Sequence, residues 1–266
     1  MAGQDFSALE TAGWTRVAGK YPDAWSGLTR LFIPDLLEAA AVAPGMRVLD
    51  VACGPGYVAE AAKALGAVPV GVDFCPEMIA QARERSSHIE FHQGNAEALE
   101  FADGCFDAVL MNFGLLHFPK PEAAIAEARR VLKRGGRLGF TVWAGPEESA
   151  GGRIVDGALK AHADLSVDVP KGPDSFCYGD LDQCRRVLSK AGFDPASVVF
   201  RTVAHEWRLP TASFLFEAER DAGVRTAAVL AAQSPQALRA IQRQIEQSVR
   251  THQKEDGFSI PPMRHT

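Results

Sequence analysis

The chain has 266 residues, 47% of them apolar and 23% charged, enough to bury a sizeable core in one large domain with elaborations or in two small ones. Its formal charge is −5 and no basic run is longer than "KRGGR" at 133–137, which speaks against nucleic acid as a partner. No apolar stretch reaches the ~20 residues of a membrane span. Asp5, Glu10, Arg16 and Lys20 also break any signal-peptide pattern, so a soluble cytoplasmic protein is expected. The five cysteines, Cys53, Cys75, Cys105, Cys177 and Cys184, form no C-x-x-C pair and have no histidine at ligand spacing. They are expected as free thiols, with no metal site.

Residues 7–42 read as helices, with Leu28, Leu31, Phe32, Leu36 and Leu37 on a buried face and Pro34 as a kink. From 47 to 143 short β-branched runs alternate with alanine-rich amphipathic stretches, the pattern of repeated βα units around a mostly parallel sheet. Strands are predicted near 47–52, 68–73, 89–92, 106–111 and 137–143, and helices near 57–65, 76–85 and 121–133. Pro76 and Pro121 suit first-turn positions, and Glu77 and Glu122 follow where negative charge favours the helix dipole. Beyond a loop at 144–152 a helix is expected at 153–163, a long loop at 169–180 and a helix at 181–191. A strand near 197–206 follows, then helices at 211–222, 225–232 and 235–251. The proline-bearing 257–264 is expected to return to the sheet as an edge strand. The fold class is therefore α/β and doubly wound. A cofactor-binding core at 43–143 is flanked by a helical lid at 1–42 and by helical lid insertions with remaining edge strands of the same sheet at 144–266.

The chemistry concentrates in "VLDVACGPGYVAEA" at 48–61, a strand, a glycine-rich turn and a helix start. Gly54 and Gly56 let backbone pass close to a ligand, and Asp73 closes "VPVGVD" where a carboxylate can accept from both hydroxyls of a ribose. "GPGYVA" alone also satisfies the dinucleotide pattern. NAD, however, would bring a dianionic pyrophosphate to this turn, and Asp50 just ahead of the glycines would repel it. S-adenosylmethionine brings an amino group and a cationic sulfonium, which Asp50 suits. Asn95, with the Ala96 backbone, stands where an adenine edge can be read, and Asn112 ends the fourth strand at the lip of the sheet. Cys53 reads as a small hydrophobe packed beneath the bend.

"VLDVACGPG", "VGVDFCPEMIAQAR", "GNAEAL", "FDAVLMNFGLLHF" and "VLKRGGRLGFTVW" together resemble the successive motifs of class I S-adenosylmethionine-dependent methyltransferases. The resemblance is to the small-molecule group similar to the ubiquinone and menaquinone C-methyltransferases, over roughly 45–143. It implies a Rossmann-like sheet, S-adenosylmethionine as cofactor with S-adenosylhomocysteine as product, and a small-molecule acceptor methylated on carbon or oxygen. Asp50, Ala52, Gly54 and Gly56 are then implied to line the methionine part and Asp73 to bind the ribose. Phe74 and Met78 would pack near the adenine or ribose, Asn95 and Ala96 would meet the adenine, and Asn112 would sit beside the methionine backbone. Two positions depart from the pattern: Ala52 stands where many members carry a glycine, and Asn95 replaces a frequent Asp.

His117 is a candidate general base, set against a structural histidine. Tyr21, Trp25, Trp143, Tyr178 and His205, with Trp207, are candidates for lining an acceptor pocket, set against ordinary core roles. Competing functions are a nucleic-acid methyltransferase, disfavoured by "NFGL" after the fourth strand, an NAD-dependent oxidoreductase, and a non-catalytic S-adenosyl-binding module.

Overall fold

The computed structural model describes residues 2–145, 148–255 and 257–265. The chain begins with α1 (Ala2–Val17), α2 (Tyr21–Ala24), α3 (Ser26–Thr29) and α4 (Ile33–Ala39). It continues through β1 (Arg47–Val51), α5 (Tyr57–Ala64), β2 (Val68–Asp73), α6 (Pro76–Arg85), β3 (Glu90–Gln93), β4 (Phe106–Asn112), α7 (Pro121–Val131) and β5 (Leu132–Thr141). It ends with α8 (Ala150–His162), α9 (Leu181–Lys190), β6 (Val203–Leu209), α10 (Phe214–Ala222), α11 (Arg225–Ala231), α12 (Pro235–Arg250), β7 (Gln253–Lys254) and β8 (Gly257–His265). Packing divides it into two units, Thr29–Trp143 with Gly172–Val203, and Met1–Leu28 with Ala144–Lys171 and Ala204–His265.

The first of these units carries a five-stranded sheet in the order β3-β2-β1-β4-β5 with every neighbouring pair parallel. The strand order reverses between β1 and β4, and in doubly wound sheets ligands bind at the carboxyl ends beside such a reversal. Strand alternation sends Val48, Ala108 and Leu110 to one face, where Leu36 and Leu37 of α4 and Val58 and Ala62 of α5 cover them. Leu49, Val51, Val109 and Met111 face the other way, under Ile125, Ala128 and Val131 of α7 and Val187 and Leu188 of α9. Both faces are dry, as parallel strands require.

Several boundaries differ from the sequence reading. Pro34 sits in the first turn of α4, where its missing N–H costs nothing, and starts a helix instead of kinking one. Helix α7 stops at Val131 and β5 begins at Leu132, with a register shift between Phe106 and Ala108 that absorbs the Lys133–Gly136 segment. Residues 29–42 and the α9 region belong with the sheet, so the unit is larger than the 43–143 core expected.

The other unit holds the larger correction: β6 and β8 do not extend the five-stranded sheet. They pair in a separate three-stranded sheet, β6-β8-β7, in which β7 and β8 form an antiparallel hairpin. Amphipathic α12 buries Ile241, Ile245 and Val249 and packs along α8. Ser149 and Ser234 cap α8 and α12, each hydroxyl accepting the backbone N–H three residues on. Glu10 of α1 is buried, accepting from Arg225 Nε at 3.0 Å and from the Trp14 indole at 3.1 Å. Among the described residues no helix is long and apolar enough to cross a membrane.

Candidate active site

The turn after β1 runs left-handed three times within five residues, at Ala52 (φ 55°), Gly54 (φ 51°) and Gly56 (φ 84°). A Cβ built on Gly54 would meet nothing within 4 Å, so this backbone is open on one side. One built on Gly56 would lie 2.8 Å from the Phe91 ring, so Gly56 is a glycine for packing as well as for turning. Ala52 occupies a conformation that costs an L-residue roughly 1–2 kcal/mol. Its methyl faces Gly114, where a Cβ would come within 2.9 Å of it. Cys53 is buried under the bend against Gly71, Phe91 and Ala59, and burial pushes its thiol well above the ordinary range, which leaves it a packing group.

Asp73 stitches the turn to the end of β2: its Oδ2 accepts from Gly54 N at 2.8 Å and its Oδ1 from Cys75 N at 2.9 Å. Burial pushes this carboxyl up, while those two N–H groups and the nearby His117 pull it down. Asp50 is 1% exposed; its Oδ2 accepts from Ala59 N at 3.0 Å, and its Oδ1 has no partner. Burial pushes the Asp50 carboxyl up to about 8, against the Ala59 N–H, and the charge of Asp73 adds to the rise. Two buried carboxyls thus act on one another beside an open backbone turn, and among the described residues neither is ion-paired to a lysine or arginine. Among those residues, too, no three His, Cys, Asp or Glu side chains group as metal ligands. An orphaned carboxylate oxygen next to unobstructed backbone fits a ligand that brings a positive charge and hydrogen-bond donors.

Phe74 is half-buried and its carbonyl accepts from Gln93 Nε2 at 3.2 Å, while Met78 is buried in α6. Asn95 is exposed, and its Oδ1 accepts from Glu97 N at 2.9 Å, so the side chain shapes its own turn; Ala96 is buried. Sequence reasoning missed what holds this loop. Arg130 of α7 donates to the carbonyls of Leu99 (2.8 Å) and Phe101 (2.7 Å), and Glu127 accepts from Leu99 N at 2.7 Å. The three-residue spacing of Glu127 and Arg130 on one helix face was the available signal.

Asn112 ends β4 beside the reversal, but both ends of its amide are taken inside the protein. Its Nδ2 donates to Thr29 O at 3.1 Å and its Oδ1 accepts from Thr141 Oγ1 at 2.7 Å. These two bonds fix the amide at the lip of the sheet, and Nδ2 keeps a second hydrogen and Oδ1 a second lone pair. His117 ends a single 3-10 turn, Leu115–His117, within electrostatic reach of Asp73.

The acceptor-pocket candidates are divided between the two units. Tyr178 is buried in the sheet's core against Phe140, with ring centroids 6.4 Å apart. Trp143 stacks on Phe113 at 4.4 Å, past the end of β5. Tyr21, Trp25 and His205 lie in the unit that carries the smaller sheet, where Trp25 stacks on Trp207 and Tyr21 meets the edge of Trp14.

The model of a methyltransferase-domain family matches residues 49–140, from β1 to β5. The chain is 32% identical over 181 residues to an uncharacterized protein of Mycobacterium tuberculosis, covering 62% of this chain and 65% of that one. It thus spans just under two thirds of that relative's length. It is 31% identical over 200 residues to the ubiquinone/menaquinone biosynthesis C-methyltransferase UbiE of Shewanella pealeana, covering 67% of this chain and 80% of that one. The fold is shared with a solved methyltransferase-type structure from Bacillus halodurans, with TM-score 0.52 and 23% identity over 88% of this chain and 94% of that one. The chain belongs to the class I S-adenosylmethionine-dependent methyltransferases, in the group similar to the ubiquinone/menaquinone C-methyltransferases.

Proposed function

We propose that the protein is a cytoplasmic methyltransferase that uses S-adenosylmethionine to methylate a carbon or oxygen of a small-molecule acceptor by in-line displacement. The observation that carries this reading is the orphaned, buried Asp50 Oδ1, on the strand that leads into the turn where Gly54 leaves its backbone open. S-adenosylmethionine, when bound, supplies a methyl group activated by a sulfonium. Asp50 and the Gly54 backbone would hold its cationic methionine part, and Asp73 its ribose. The kinship with enzymes named for ubiquinone and menaquinone C-methylation supports carbon of a quinone-type ring as the acceptor. Holding such a ring in line and excluding water is most of what the chain must do. Where the acceptor must lose a proton, His117, in the 3-10 turn that follows β4, would be the group to take it.

The test is calorimetry on the full chain with S-adenosylmethionine, S-adenosylhomocysteine and NADH. Binding of both S-adenosyl compounds and not of NADH is expected; NADH binding without them overturns the reading. A screen of small-molecule extracts with isotopically labelled methyl donor, read by mass spectrometry, then identifies the acceptor.

A further inference from the structure

Thr141, the last residue of β5, pairs in register with Asn112 at the end of β4. Thr29 O can only accept, so the Asn112 amide must turn its Nδ2 toward it, at 3.1 Å. Asn112 Oδ1 then faces Thr141, whose hydroxyl must donate, at 2.7 Å. With its proton so committed, Thr141 Oγ1 accepts from Phe113 N at 3.0 Å. The Thr29 carbonyl therefore fixes the direction of every bond in the series Phe113 N–H, Thr141 Oγ–H, Asn112 amide, Thr29 carbonyl, and the Thr141 hydroxyl joins its two halves.

What it holds matters at both ends. Phe113 sits at φ 56°, an outlier for a bulky residue, with its ring stacked on Trp143 and meeting the edge of Phe32 at 5.6 Å. Thr29 opens the segment 29–32, whose Arg30 guanidinium lies 4.7 Å from the centre of the Tyr57 ring. Tyr57 is the first residue of α5, directly after Gly56 of the turn described above. Residues 29–32 thus run as a strap from the ends of β4 and β5 to the start of α5.

We propose that Thr141 is a positioning residue that, through Asn112, latches the 29–32 strap beside the glycine turn and so sets the affinity for the S-adenosyl ligand. The proposal rests on the S-adenosyl-binding reading, and its test separates the two. Thr141→Val keeps the shape and removes the hydroxyl. It should weaken S-adenosylhomocysteine binding about tenfold in calorimetry, the scale of a lost buried hydrogen bond. Thr141→Ser should restore binding to within about twofold. Adding Asn112→Ala to Thr141→Val should bring no further loss, because the two act in series.

Hydrogen exchange on the ligand-free protein reads the latch directly: residues 29–32 should exchange about tenfold faster in Thr141→Val, with β1 unchanged. Asn112→Ser gives the same reading from the other side of the bond if Thr141→Val does not fold. Equal affinity in Thr141→Val and the unsubstituted protein, a serine variant as weak as the valine one, or unchanged exchange at 29–32 overturns the latch. An unsubstituted protein that binds no S-adenosylhomocysteine overturns the binding reading, and the exchange experiment still decides whether Thr141 holds the strap.

Discussion

Two carboxylates are buried to nearly the same degree, Glu10 at 2% exposure and Asp50 at 1%, and the protein treats them in opposite ways. Glu10 meets Arg225 and the Trp14 indole, one at each oxygen. Asp50 has one backbone N–H on one oxygen and nothing on the other. A buried charge that the chain neutralises itself ties helices together, here α1 to α11. One that it leaves without a cation holds its proton until a bound cation draws it off, and so marks where a ligand brings the opposite charge.

The sharpest way to break the contrast is to orphan Glu10. Arg225→Met should destabilise the protein by about 3 kcal/mol in denaturant unfolding, because it strands a buried carboxylate. Combining it with Glu10→Leu should recover most of that loss. Next in size is Asp73→Ala, which removes the acceptor for both Gly54 N and Cys75 N. S-adenosylhomocysteine affinity should fall by about 1–3 kcal/mol in calorimetry; unchanged affinity would place Asp73 outside the site.

The smallest effect separates Asp50 from Glu10 by its sign. With its carboxyl held near 8 in the folded chain and near 3.8 when unfolded, Asp50 keeps a proton in the native state that the unfolded state has already released. Its contribution to stability is full below the unfolded value and is lost as pH rises through the folded one. The melting temperature of the ligand-free protein should therefore fall between about pH 5 and about pH 8. Asp73, also raised, adds in the same direction. Asp50→Asn should flatten part of that slope without destabilising the fold at neutral pH, yet weaken S-adenosylmethionine binding about tenfold for want of the charge.

The Asp50–Gly54–Asp73 half of the site is legible in the sequence because strand, turn and helix are contiguous. The one long link, Asp73 to Gly54, joins the ends of adjacent parallel strands. Nothing comparable announces Thr29, Asn112 and Thr141, which lie 83 and 29 residues apart and meet only once β4 and β5 are paired. Strands β6 and β8 show the same limit: their alternation marks them as strands, but an edge strand carries no local sign of which sheet it joins. Asn95 reads in the sequence as a ligand group before a turn former, and one carboxamide oxygen suits an amine or the Glu97 N–H that it accepts from here.

Ala52 and Gly114, which face one another across the ends of β1 and β4, constrain which substitutions this backbone accepts as well as its geometry. With Ala52 in place, no side chain fits at 114. With glycine at 52, a methyl at 114 loses its nearest obstacle. A double substitution at these two sites is therefore open in one order, glycine at 52 first, and closed in the reverse.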